Sequence, residues 1–159
     1  MVLLKKVKFG VSILLPLLAG FIGSFFTAST VSSWYQELIK PSFNPPGWIF
    51  GPVWTLLYIF MGLALYLVWQ SEIENKKKKI AISVFAAQLA LNVLWSVLFF
   101  GLKNPFWAFA EIVLLWVLIL ANLILFWKIK KSAGWLLLPY LFWVSFASVL
   151  NFSIWQLNY

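Results

Sequence analysis

The chain has 159 residues, 64% of them hydrophobic and only 10% charged, against roughly 45–50% and about 25% in a soluble domain. Its charges are 12 Lys and 4 Glu, a formal net charge of +8, and Cys, His, Asp and Arg are absent. These counts exclude a soluble globular protein, a disulfide framework, thiol or imidazole catalysis, and a zinc or His/Cys-ligated haem centre.

Uncharged runs occupy 9–36, 41–71, 80–102 and 132–159, and a fifth, 104–127, is interrupted only by Glu111. Each exceeds the ~20 residues a helix needs to cross ~30 Å of hydrocarbon. The expectation is an all-α membrane protein, one five-helix transmembrane domain over 1–159, with spans near 8–30, 46–70, 80–101, 105–127 and 133–157. The alternating segments of about ten residues that a β-barrel requires do not occur.

The first span comes after Lys5, Lys6 and Lys8, as a secretory signal would. Its apolar run from Phe9 to Thr30 outlasts the roughly 7–15 residues of a signal core, however, and no clear cleavage site succeeds it. Within it Gly20 and Ser24 are four apart, as are Ala19 and Gly23, a spacing that admits a close neighbour. The connection 31–45 is aromatic and restrained by Pro41 and Pro45, with Pro46 just beyond. Asn44 is placed to cap the second span, with Pro45 at its first position. Two readings of the connection stand open: an ordered lid over a pocket, or an interfacial loop anchored by its aromatics.

The second span aligns Gly51, Trp54, Tyr58 and Leu65. In the third, Gln88, Asn92, Trp95 and Phe99 share one face, and Ser83, Ala86 and Ala90 form a small-residue stripe on another, the expected seam of a homodimer. The fourth aligns Trp107, Glu111, Leu114 and Leu118. Glu111 is the one acid within a span; it either bonds a neighbour or reaches the interface, or serves function. The fifth aligns Tyr140, Trp143, Ala147, Leu150, Asn151 and Ile154. A sequon at Asn151-Phe152-Ser153 lies inside this span and is discounted.

Ten of the twelve lysines fall on one side of this topology: Lys5, Lys6, Lys8, Lys76 to Lys79, Lys128, Lys130 and Lys131. Lys40 and Lys103 occupy the other. The asymmetry predicts a cytoplasmic N-terminus and an outside C-terminus, and it accounts for the basicity without nucleic acid. Lys76 to Lys79 are also placed to meet anionic lipid. Of the 11 Trp, Trp34, Trp48, Trp69, Trp107, Trp127, Trp135 and Trp155 lie near helix ends, as in an interfacial belt. Trp54, Trp95 and Trp143 lie on the polar or small-residue faces, and Trp116 is expected to face lipid. The inward faces place a pocket in the outer half of the bundle, under the 31–45 connection, with Lys40 or Lys103 near its mouth.

Four blocks resemble the TspO/MBR family of tryptophan-rich sensory proteins over nearly the whole chain. They are Trp34-Tyr35 through Pro46 with Trp54 and Tyr58; Gln88-Leu89-Ala90-Leu91-Asn92 with Trp95 and Phe99-Phe100-Gly101; Trp107-Ala108 with Glu111; and Pro139-Tyr140 through Trp143, Phe146-Ala147, Leu150 and Asn151. The resemblance implies a five-helix bundle, often dimeric, whose pocket binds porphyrins and, in animal members, cholesterol and synthetic ligands. The pocket residues it implies are Ser24, Phe50, Trp54, Asn92, Trp95, Trp107, Leu114, Trp143, Ala147 and Leu150, and Trp34, Tyr58 and Asn151 complete the expected ligand-binding set. Trp54 and Trp143 match the pair implicated in light-dependent porphyrin breakdown by some bacterial members. No cofactor is implied, since a porphyrin enters as ligand or substrate, and the expected partners are a porphyrin or other hydrophobic small molecule and membrane lipid. Phe152 and Gln156 replace the Tyr and basic residue of the animal cholesterol motif, which argues against sterol at that place.

The leading expectation is therefore a porphyrin-binding membrane sensor, with a light-dependent porphyrin-degrading enzyme and a porphyrin or lipid transporter as alternatives. No repeat or broken helix supports alternating access. The short form, the lack of a targeting peptide and the preference for Lys over Arg favour a bacterial plasma membrane.

Overall fold

The computed structural model describes residues 2–159, with side chains from residue 3. Six α-helices run in order: α1 (Val2–Thr30), the short α2 (Trp34–Glu37), α3 (Gly47–Trp69), α4 (Asn75–Ser96), α5 (Pro105–Ile129) and α6 (Lys131–Asn158). Five of them are long and apolar enough to cross a membrane, as the uncharged runs dictate. The first begins well before residue 8, because the lysine-bearing turns continue the helix beyond the apolar core.

The long helices close into a ring in the order α1, α3, α6, α5, α4 and back to α1. Close approach is set by small residues. A Cβ on Gly62 would stand 2.8 Å from the Ile13 Cα and the Ser12 carbonyl oxygen of α1, and one on Gly20 would stand 2.2 Å from the Tyr58 ring. Inside the ring Met61, Ala64, Val68, Phe85, Phe126 and Leu137 are essentially inaccessible, and the Phe85 and Phe126 rings stack at 5.8 Å. This solid half of the bundle lies at the lysine end, where Lys8 sits 5.8 Å from the Trp69 ring. At the opposite end, α4 leaves regular geometry in a π-helical turn at Val97–Gly101, and the connection to α5 bends through Lys103 at φ 51°. The extra residue of a π-turn rotates the side chains beyond it, and here both Phe99 and Phe100 are buried.

Two local expectations are corrected. Asn44 does not cap α3, which begins at Gly47 after an extended Pro46 (φ −54°, ψ 137°) and has no side-chain cap; consecutive prolines hold the chain extended until then. Trp116 does not face lipid freely, because its indole N–H donates to Ser145 Oγ at 2.7 Å. The small-residue stripe of Ser83, Ala86 and Ala90 is exposed on the outer surface of α4.

Candidate functional site

A cavity of about 560 Å³ occupies the end of the bundle away from most lysines, within the range of small-molecule pockets. Every long helix contributes to its wall. Gly20, Ser24 and Thr27 come from α1, Phe50, Gly51, Trp54 and Tyr58 from α3, and Asn92 and Trp95 from α4. Phe99 and Phe100 come from the π-turn, Ile112 and Leu115 from α5, and Trp143, Ala147, Leu150 and Asn151 from α6.

The aromatic wall is held by ring contacts rather than by chance orientation. Trp54 stacks on Tyr58 at 5.5 Å and 29°, and Trp95 on Phe99 at 5.1 Å and 22°. Phe50 meets Trp143 edge-on at 5.9 Å.

Several buried polar groups around the cavity bond one another, which offsets the cost of removing them from water. The Tyr58 hydroxyl donates to Asn92 Oδ1 at 2.7 Å, Asn92 Nδ2 donates to the Tyr140 hydroxyl at 3.1 Å, and that hydroxyl donates to Gln88 Oε1 at 2.9 Å. The chain of bonds ties α3, α4 and α6 together. A second set runs from Trp95 Nε1 to Asn151 Oδ1 at 2.9 Å and from Asn151 Nδ2 to the Pro105 carbonyl at 2.8 Å. Within membranes such bonds average about 0.6 kcal/mol each, so they fix geometry more than they add stability. The Trp143 indole N–H, by contrast, is enclosed with no partner in the protein.

The 31–45 connection packs down on the cavity end of the bundle. Tyr35 and Leu38 are buried, clustered with Phe99, Phe100, Leu150 and Ile154, and Phe43 lies 6.3 Å from Phe146. Asn44 closes the loop on itself by accepting from the Tyr35 hydroxyl at 3.1 Å. Burial pushes that hydroxyl above its ordinary pKa, with the Asn44 bond opposing the shift, so it is a neutral donor. Asn158 of α6 clasps the backbone of Ile39, accepting its N–H and donating to its carbonyl, both at 2.9 Å. Lys40 is spent on this connection, donating to the Gln36 and Leu38 carbonyls at 3.2 and 3.0 Å.

The cavity opens sideways. Among its lining residues, those exposed at the outer surface are Phe21 and Ser24 of α1 and Gly47, Gly51 and Thr55 of α3. Beyond the tight contact of Gly20 with Tyr58, a Cβ on Gly51 or Gly47 would meet nothing within 4 Å. The gap faces the membrane between α1 and α3.

Ten of the thirteen expected binding residues line the cavity: Ser24, Phe50, Trp54, Tyr58, Asn92, Trp95, Trp143, Ala147, Leu150 and Asn151. Three do not. Trp34 stands behind the wall, 5.7 Å from Phe99. Trp107 and Leu114 are 58% and 53% exposed, because α5 is rotated so that Ala108, Ile112, Leu115 and Ile119 face inward. Glu111, on the edge of that face, is buried with both carboxyl oxygens unpartnered by protein groups and lies off the cavity wall. Sequence reasoning misses Ile112, Leu115 and Val144, whose plain aliphatic character carries no signal inside an apolar helix.

Residues 12–156 match the sequence profile of the TspO/MBR family. The chain is 47% identical over 151 residues to a tryptophan-rich protein TspO of Archaeoglobus fulgidus, covering 95% of this chain and 97% of that one. It is 48% identical to the tryptophan-rich protein TspO of Chlorobaculum tepidum, covering 91% of each, and 37% identical to the human translocator protein, covering 92% of this chain and 87% of the relative. With five apolar helices of membrane-spanning length, a profile match over nearly its whole length and relatives that share almost half its residues, this chain is an integral membrane protein and belongs to the TspO/MBR family.

Proposed function

We propose that the protein is a membrane sensor that takes a flat, metal-free tetrapyrrole such as protoporphyrin IX into the cavity, in a role in tetrapyrrole regulation or stress response. The observation that carries this reading is the wall itself: Trp, Tyr and Phe rings from α3, α4, the π-turn and α6, broken by a few fixed amides and hydroxyls. Ring faces stack on a planar macrocycle, the Asn92 and Asn151 amides orient its polar edges, and the unpartnered Trp143 N–H is available as a donor. A macrocycle without metal needs no axial ligand, which suits a chain without His or Cys.

Titration with protoporphyrin IX, read by tryptophan fluorescence, tests the proposal. Saturable quenching is expected, and its absence overturns the reading. A photochemical alternative rests on Trp54 and Trp143 both standing in the wall. If illumination of the complex bleaches the porphyrin to a new product equally well in Trp54→Phe and Trp143→Phe, those indoles are not its redox partners.

The lysine distribution supports a cytoplasmic N-terminus in a bacterial plasma membrane. Of the stripe Ser83, Ala86 and Ala90, the first two line a lysine-rimmed groove, so the part that supports homodimerisation is the exposed Ala90 beyond it. Ala90→Leu is expected to shift the protein toward monomer in detergent, and an unchanged oligomer places the contact elsewhere.

A further inference from the structure

At the lysine end, on the side remote from the cavity, a groove of about 420 Å³ lies between the last turn of α3 and the first three turns of α4. Trp69 and Asn75 flank its mouth, Lys78 and Lys79 form its rim, and Ile82, Ser83 and Ala86 form its floor. The two parts differ in chemistry. The rim is cationic and polar, with Lys8 of α1 added over the Trp69 ring at 5.8 Å. The floor is small and apolar.

Charge at the rim is not cancelled from within. The ion pair among the described residues joins Lys77 to Glu74 at 3.4 Å and leaves Lys79 out. Lys78 donates to the Ser71 carbonyl, which fixes the ammonium over the groove without neutralising it. A second copy of this chain meeting the same surface would bring two lysine clusters together, so charge disfavours it as the occupant. An amphiphile with an anionic head and an apolar tail matches both parts at once.

We propose that this groove is a binding site for an anionic phospholipid, its phosphate held by Lys78 and Lys79 beside Asn75, and one acyl chain laid over Ile82, Ser83 and Ala86. Juxtamembrane lysines attract anionic headgroups generally; the groove adds a fixed place, with Trp69 at interfacial depth.

The test uses the full chain in phosphatidylcholine bilayers, with spin-labelled phosphatidylglycerol or spin-labelled phosphatidylcholine as the probe of the motionally restricted lipid. A several-fold preference for phosphatidylglycerol is expected. Lys79→Gln, which breaks no bond within the protein, should reduce that preference by about threefold to fivefold. Ala86→Trp should reduce it by filling the floor, whereas Lys5→Gln with Lys6→Gln, at the same membrane surface but outside the groove, should leave it. An unchanged preference in Lys79→Gln overturns the site, and an equal loss in the Lys5 and Lys6 variant reduces it to diffuse surface charge. Loss of preference in millimolar inorganic phosphate assigns the rim to a free anion. If Ala86→Trp turns dimer to monomer without altering lipid preference, the occupant is a second copy. None of these readouts involves the porphyrin cavity.

Discussion

Gly62→Ala is expected to lower the thermal unfolding temperature in detergent by several degrees. The added methyl would stand 2.8 Å from the Ile13 Cα and the Ser12 carbonyl oxygen and 2.9 Å from the Ile13 Cδ1. Two of those three atoms are backbone, so no rotamer change relieves the clash, and α1 must move away from α3. Overpacking of this kind costs about 1–3 kcal/mol, or roughly 2–4 °C per kcal/mol for a chain of this size. Gly10→Ala supplies the control: its Cβ meets nothing within 4 Å, and alanine is the better helix former by about 1 kcal/mol. Equal unfolding temperatures for the two variants would contradict the helix contact.

Gly51→Trp should slow protoporphyrin IX association by tenfold or more, because Gly51 is a wall residue with open space in front of it. The 31–45 connection is clasped to α6 through Asn158 and closed on itself through Tyr35 and Asn44, so the open approach is the lateral gap between α1 and α3. Gly51 lies in that gap, and a Cβ there would meet nothing within 4 Å. A side chain set across the opening raises the barrier to entry, so the association rate is the quantity that reports it. Stopped-flow quenching with the wild-type protein as reference measures that rate. Affinity lost with an unchanged association rate would mean that the indole has entered the cavity, and an unchanged rate without loss of affinity would mean that the gap is not the route.

Helix number, lysine placement and most of the cavity were legible because each leaves a mark that survives in an apolar sequence. Gln88, Asn92, Tyr140 and Asn151 are conspicuous in lipid, and their spacing on α4 and α6 gives the phase of those helices directly. On α5 the conspicuous residues mislead. Trp107 and Glu111 suggest a face that includes Leu114, yet Trp107 belongs to the interfacial belt and the inward face runs through Ala108, Ile112 and Leu115. An interfacial indole is indistinguishable from a pocket indole by residue type, and one leucine from the next by nothing at all. The π-turn at Val97–Gly101 is likewise silent in the sequence. Asn44 failed as a cap for a different reason, since its side chain had a stronger claim on it from a tyrosine nine residues away.

The clasp between Asn158 and Ile39 joins positions 119 residues apart and makes the end of the chain a part of the roof. An affinity handle fused after Tyr159, or the removal of the last two residues, acts directly on the cover of the cavity although it lies far from the 31–45 connection in sequence.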